Sequence, residues 1–389
     1  MIDGRNVTDE EGTIVRTLSS KDEIAWMLDG LGIMGTGGGG DPQAWGASLI
    51  KADLARRRTY QLVDPEELPD GALVVSGGYL GSVAEDRTLD RVVDEWETTF
   101  ELEGAIREME GLLGRHVDYL VPFEVGGGNT PVILSAGARL GIPVVDGDAV
   151  GRSAPETHMT SFIGHGISLC PMPLVDSNGT VVIVKKSESI FLPDEVGRFL
   201  VSTRRGLMAN SHYPMSGADL KRCVIPNMIT KSIELGRFMS TLTGDAEAKL
   251  SRLAQFVKGF PLLWGAVADV KGENSGGFYH AKVRVEGRGK HRGETVELTI
   301  KNEAMLARLD GEPAVVFPDP IYLVDPKTNQ GVLTPDIRKG RELLLLGIPS
   351  HARLREALRT EVGARAFSSE RYGEKVPYRP VEELLKGKR

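Results

Sequence analysis

Five glycines fall within six residues at Gly35-Thr36-Gly37-Gly38-Gly39-Gly40, and Asp41-Pro42 closes the run. A segment with almost no side-chain wall reaches positive φ freely and lets main-chain N–H groups approach a ligand or another backbone closely. A bare tight turn needs only about one or two glycines. The run sits between two helix-like segments, so it is a turn between packed elements and not a linker. Two further loops of the same kind follow, Ser76-Gly77-Gly78-Tyr79 and Glu124-Val125-Gly126-Gly127-Gly128-Asn129-Thr130. Three such loops in the first third of the chain predict one shared site.

A chain of 389 residues exceeds one ordinary core, so two domains are expected. With 41% apolar and 26% charged residues the make-up is that of a soluble globular protein. A net charge of −7 argues against nucleic acid and against an anionic membrane as partner. No apolar run reaches the roughly 18 residues of a membrane span, and Met1-Ile2-Asp3-Gly4-Arg5 carries no signal core. Cys170 and Cys223 form no Cys-x-x-Cys pair, so no disulfide framework is expected and a cytoplasmic home is. Both read as buried, inert thiols.

Ser20-Lys21-Asp22-Glu23 reads as a capping box leading into an apolar stripe of Ile24, Ala25, Leu28 and Leu31. A helix over 43–57, a strand over 72–75 and a helix over 94–113 follow. A strand at 119–123, a loop at 124–129 and a helix at 130–140 come next, with Pro131 in the first turn. A strand over 142–145 ends at Asp146-Gly147-Asp148. Strands alternating with helices predict a parallel sheet with right-handed crossovers, and ligands of such sheets lie outside the carboxyl ends of the strands. That rule places Ser76, Glu124, Asp146 and Asp148 along one edge. The boundary is expected near residue 180, giving an α/β domain over 1–180. A mixed, β-rich domain over 181–389 follows, with helices at 194–201 and 217–236 and alternating strands at 282–286 and 294–301.

Reactive side chains are densest between Asp146 and Cys170. Asp146 and Asp148 stand where carboxylates ligate cations or act as general bases. His158 and His165 are seven residues apart, about 10 Å along a continuous helix and too far for one metal unless the chain breaks at Gly164 or Gly166. His158 and His165 with Asp146 form the expected ligand set for a divalent metal, zinc first. No metal motif of recognised spacing is present, and separate, locally satisfied histidines are the equal alternative. His212 reads as a loop residue. Neither Gly-x-Gly-x-x-Gly after a strand nor Gly-Lys-Ser/Thr occurs, so a phosphate cradle lacks its pattern, and Asp41 would repel a phosphate.

Gly35–Pro42, Glu124–Asn129 and Pro143-Val144-Val145-Asp146-Gly147-Asp148-Ala149-Val150-Gly151-Arg152 together resemble the S-methyl-thiohydantoin desulfurase-like family. Pro155-Glu156, Met159–Phe162, Gly276-Gly277-Phe278, Lys301-Asn302-Glu303, Phe317-Pro318-Asp319 and Val362–Phe367 extend the likeness along nearly the whole chain. Histidine at 158 and 165 departs from the family pattern. The resemblance implies an N-terminal α/β domain, a smaller β-rich domain, and hydrolytic loss of sulfur from the thiocarbonyl or S-methyl carbon of a hydantoin-like ring.

On that reading Glu124, Asp146, Asp148 and Glu156 are the candidate acids and bases. Gly37, Gly38, Gly39, Gly40, Asp41, Ser76, Gly127, Gly128 and Asn129 are expected to line the substrate, with glycine N–H groups facing developing charge. Arg152 is expected to pair with a substrate carboxylate through its planar fork. Asn302, Glu303 and Asp319 are the candidates to close the cleft from the second domain. The expected partner is a small cyclic molecule, with a homo-oligomer as the assembly. The alternatives are an accessory subunit that binds a hydantoin-like molecule without turning it over, and a nucleotide-dependent enzyme.

Overall fold

A computed structural model describes residues 6–8, 14–81, 92–204 and 207–387. In the first half lie strands β1 (Asn6–Thr8), β2 (Ile14–Leu18), β3 (Tyr60–Val63), β4 (Leu73–Leu80), β5 (Tyr119–Pro122), β6 (Val144–Val145) and β7 (Gly147–Asp148). After them come β8 (Met172–Asp176), β9 (Val181–Val184), β10 (Met208–Ser216) and β11 (Ile225–Pro226). Among the described residues a nine-stranded sheet runs in the order β1-β2-β3-β6-β5-β4-β10-β8-β9, and β7 pairs with β11 apart from it. Only the centre, β3-β6-β5-β4, is parallel. The expected parallel strands lie in this centre, and antiparallel flanks that the sequence reading did not include make the whole sheet mixed.

Every residue of β4, Leu-Val-Val-Ser-Gly-Gly-Tyr-Leu, is buried, as a central strand covered on both faces must be. β10 lies beside β4 although it follows residue 181, so the first sheet draws its strands from as far along as Ser216.

A second sheet takes β12 (Phe260–Ser275), β13 (Phe278–Gly287), β14 (Thr295–Lys301), β15 (Glu303–Leu309), β16 (Glu312–Val316), β17 (Ile321–Val324) and β18 (Glu342–Gly347). Its order is β16-β15-β14-β13-β12-β18-β17, antiparallel throughout. Alternation along β13 is strict: Ala281, Val283 and Val285 are buried, while Lys282, Arg284 and Glu286 are exposed. The protein is therefore mixed α/β, an N-terminal mixed sheet followed by an antiparallel one.

The helix Lys21–Met34 begins where the capping box placed it, with the Ser20 hydroxyl accepting from the Glu23 N–H. Two other helices differ from the sequence reading. Val224-Ile225-Pro226-Asn227 splits the expected 217–236 helix into Gly217–Cys223 and Met228–Ser240. Proline 226 lacks the N–H a continuous helix needs, and Asn227 takes φ 62°. The 94–113 helix starts properly at Glu101, after a short turn at Val92–Glu95. Among the described residues no helix is long and apolar enough to cross a membrane.

Candidate functional site

Two of the expected glycine loops, Gly35–Gly40 and Glu124–Asn129, are in direct contact; the third, Ser76–Tyr79, is not a loop but part of strand β4, where Gly77 and Gly78 pair with Ser211 and Asn210. The Gly39 carbonyl accepts from the N–H groups of Gly128 (2.7 Å) and Asn129 (3.1 Å). A Cβ on Gly126 would lie 2.7 Å from the Gly39 Cα, so only glycine permits this approach. The β4 run joins them through Asn129, whose Oδ1 accepts from the Tyr79 N–H at 3.2 Å. From the other side the second sheet grips the first run: Ala304 N–H donates to Thr36 O (3.1 Å) and Thr334 N–H to Gly37 O (2.9 Å). The glycines thus serve backbone-to-backbone packing between the two halves of the chain.

Within this junction lies a narrow cavity of ≈ 40 Å³. Gly39, Gly40, Trp45, Tyr79, Glu124, Asn129, Arg198, Asn302 and Glu303 line it, and its rim reaches Gly81 and Leu207. Glu124 stands directly after β5. Its Oε1 accepts from Asn129 Nδ2 at 2.7 Å and its Oε2 from the Ala154 N–H at 2.7 Å. Burial pushes its carboxyl up to about 7, against the pull of those two donors and of Arg198 and Arg152.

Glu303 is the second buried carboxyl, placed by the turn at Asn302, where φ is 55°. A Cβ on Gly38 would fall 1.9 Å from Glu303 Oε1, so the acid rests on the glycine loop itself. Burial, then the charge of Glu124, hold its carboxyl well above the usual range. Its Oε2 is buried with no hydrogen-bond partner, as are Nε of Arg198 and Nε1 of Trp45. Buried polar atoms are rarely orphaned, because each lost bond costs about 1–3 kcal/mol. Arg198 Nε still lies 3.6 Å from Asp194 Oδ2, so Glu303 Oε2 and Trp45 Nε1 are the atoms on the cavity-lining residues that are left for a further polar group.

Arg198 reaches the cavity from the helix Leu192–Arg204. It donates to Gly81 O (2.8 Å), Gly277 O (3.3 Å) and Pro155 O (2.6 Å), and its guanidinium lies 4.3 Å above the Phe278 ring. The Tyr79 hydroxyl is committed to Glu101 Oε2 at 2.6 Å.

The remaining expected residues stand elsewhere. Asp146 caps the helix Met228–Ser240: its Oδ1 accepts from the Ile229 and Thr230 N–H groups at 2.9 and 3.1 Å, and Oδ2 from the Thr230 hydroxyl. Asp148 is fully buried, with both oxygens on the Gly151 N–H (2.9 and 2.8 Å), and burial pushes it up to about 8. Glu156 is bound to Arg371 and lies 3.2 Å from Lys301 Nζ. Burial works to raise its carboxyl, but those cations and His158 hold it below the ordinary value.

Arg152 is fully buried and spends its guanidinium on the carbonyls of Ser153 (2.9 Å), Asp319 (3.3 Å) and Ala304 (2.8 Å), 4.9 Å from the Phe317 ring. It ties the two sheets together and has no fork left for a substrate. Asp41 caps the turn Pro42–Gly46, Ser76 donates to Val121 O, and Asp319 accepts from Ser350, Tyr378 and Val381. Gly37, Gly127 and Gly128 belong to the loop packing behind the cavity.

The expected metal set is not assembled. His158 sits against Phe191 and 3.7 Å from Glu156, while His165 faces Ser161 O and Glu356. Asp146 has both oxygens engaged by the helix. Among the described residues no group of three or more His, Cys, Asp or Glu side chains could hold a metal ion.

Family models of S-Me-THD-like proteins match the chain in two consecutive blocks, the N-terminal domain over residues 22–186 and the C-terminal domain over 191–381. The chain belongs to the S-Me-THD-like family. Its fold is similar to a crystal structure of a protein from Chromobacterium violaceum, with TM-score 0.73 and 24% identity over 94% of this chain and 99% of that one. A search of curated proteins returns no match.

Within this S-Me-THD-like chain, sequence reasoning singled out Glu124, Asn129, Gly39 and Gly40, which line the cavity. It left Asn302 and Glu303 as two of three open candidates. It passed over Arg198, Tyr79 and Trp45. Arg198 gives no local signal, because one basic residue on an amphipathic helix reads as solvated surface. Tyr79 and Trp45 read as loop and core aromatics.

Proposed function

We propose that this protein hydrolyses the carbon–sulfur bond at C2 of a thiohydantoin or S-methyl-thiohydantoin ring, with Glu124 as general base and Glu303 as general acid. The observation that carries this is a pair of buried carboxyls on one cavity, one pushed by burial up to about 7 and the other raised well above the ordinary carboxyl range. Like-charged neighbours in a dry site separate in this way, and the separation assigns their roles. Membership of the S-Me-THD-like family supplies the substrate class.

The chemistry closes without a further reactant. The Glu124 carboxylate takes a proton from water as its oxygen attacks C2 and a C–O bond forms. Charge developing on the ring is met by the free Trp45 Nε1–H and by the fixed positive charge of Arg198, whose own N–H groups are held by carbonyls and Asp194. As the C–S bond breaks, the Glu303 carboxyl protonates the departing sulfur, and the new C2 hydroxyl gives its proton to the ring nitrogen of an S-methyl substrate, or to the sulfur of a thiocarbonyl one, as it becomes the carbonyl. Methanethiol leaves an S-methyl substrate, hydrogen sulfide leaves a thiocarbonyl one, and the ring retains a C2 carbonyl. The proton on Glu124 returns to Glu303 through solvent.

A cavity of ≈ 40 Å³ has room for about one water, so the rim at Gly81 and Leu207 must give way for a ring to enter. The test is incubation of the purified protein with S-methyl-thiohydantoin, thiohydantoin and hydantoin, following volatile thiol and sulfide. Thiol or sulfide release with hydantoin as the other product supports the reading. Saturable ring binding with no product would instead favour the accessory-subunit reading.

A further inference from the structure

A second cavity, of ≈ 460 Å³, lies in the seam between the two halves of the chain, lined by none of the residues of the acid-lined one. Its walls are Met34, Ile225, Met228, Tyr322 and Ile348, with Phe256 at the rim. The first five are buried, whereas Phe256 is 42% exposed. The volume falls in the range of about 300–1,000 Å³ that suits a small organic ligand, and domain seams are where such sites recur. It is more than ten times the volume of the acid-lined cavity.

Charge around the rim is uneven. Lys231 and Lys258 both line the cavity and are exposed. Lys231 donates to the Pro226 carbonyl at 3.2 Å, and neither lysine forms an ion pair among the described residues. Glu234 is the sole carboxylate of the lining. His351 adds no positive charge: its Nδ1 accepts from the Arg353 N–H, and burial with the nearby Lys231 and Arg353 lowers its pKa. The rim is therefore net positive above an apolar floor.

We propose that this seam is a second ligand site, for a small amphipathic monoanion whose apolar body lies between Met228, Tyr322 and Ile348 and whose carboxylate faces Lys231 and Lys258. Burial of the apolar body supplies most of the affinity, and the two ammonium groups set the preference for an acid. Nothing in the reaction assigned to Glu124 and Glu303 uses these residues.

Isothermal titration of the full chain with decanoate and with decanol tests it. The expected result is saturable binding of one decanoate per chain, with decanol about tenfold weaker. Val257→Trp, at a half-buried lining position, should abolish binding. The surface variant Lys231→Gln/Lys258→Gln should bring decanoate to the level of decanol. Non-saturable uptake, binding indifferent to Val257→Trp, or equal affinity for acid and alcohol in the wild type would each overturn the proposal. So would failure of decanoate to bind together with a change of oligomeric mass in Val257→Trp, which would make the seam an interface between copies.

Discussion

Replacing Glu124 by Gln should make the protein relatively more stable at alkaline pH than at acid pH, and the size of the effect follows from burial. The folded chain raises this carboxyl from 4.5 to about 7, which disfavours its ionised form by about 3 kcal/mol. A group raised on folding contributes stability fully present below the unfolded value and lost as pH climbs through the folded one. Wild-type stability should therefore decline between about pH 4.5 and pH 7 through Glu124, and level off above. Gln cannot ionise and removes that slope.

The amide carries its own penalty: its NH2 meets either the Ala154 N–H or the Asn129 amide, donor to donor, at a cost of about 1 kcal/mol independent of pH. His212, pulled by burial down to about 3, titrates alike in both proteins and cancels, whereas Asp148 and Glu303 lose the Glu124 charge that helps to raise them and so add to the variant's gain at pH 8. Urea unfolding of wild type and Glu124→Gln at pH 4.5 and pH 8 reads the difference. A relative gain of about 3 kcal/mol for the variant at pH 8 is expected. A difference unchanged between the two pH values would refute the assignment of a near-neutral carboxyl.

Other consequences concern the packing around the pair. Gly38→Ala drives a methyl to 1.9 Å from Glu303 Oε1, so it should cost about 1–3 kcal/mol and most of the turnover. Gly111→Ala, in the helix Glu101–Leu113 with nothing within 4 Å, should stabilise by about 1 kcal/mol and leave turnover intact. Arg152→Lys loses bonds to three carbonyls, so a lowered urea midpoint is expected; a raised KM at unchanged stability would restore Arg152 as a substrate clamp. Asp146→Ala should cost about 1–2 kcal/mol as a lost helix cap with little change in kcat, and elemental analysis should find metal content unaffected by His158→Ala.

Much of the fold was legible because its signals are local. The capping box at Ser20 marks the start of its helix, and the Tyr119–Pro122 strand with its loop and helix repeats the pattern of a parallel crossover. The antiparallel flanks were not legible, since β8, β9 and β10 are joined to the central strands only by long-range pairing. The glycine runs correctly marked a junction, but their sequence does not say whether bare backbone faces a ligand or another backbone. Here Gly39 faces Gly126 and Gly38 faces Glu303.

Asp146 shows the same limit: a carboxylate at a strand end reads as a ligand or base, and its partner proves to be a helix N-terminus 83 residues on. His158 and His165, conspicuous in the sequence, are held by separate neighbours. Glu303 was harder to choose than Glu124, because what makes it reactive is the burial and the nearby charge that another part of the chain supplies.

The most direct test of the carboxyl pair is the pH dependence of kcat/KM for thiol release from S-methyl-thiohydantoin by wild type, Glu124→Gln and Glu303→Gln. With Glu124 as base and Glu303 as acid, the wild-type rate should rise with pH through about 7 and fall again at higher pH as Glu303 ionises. Each variant should lose at least about a hundredfold, and Glu124→Gln should also lose the rising limb. Turnover that survives in both variants with the wild-type pH profile would contradict the account.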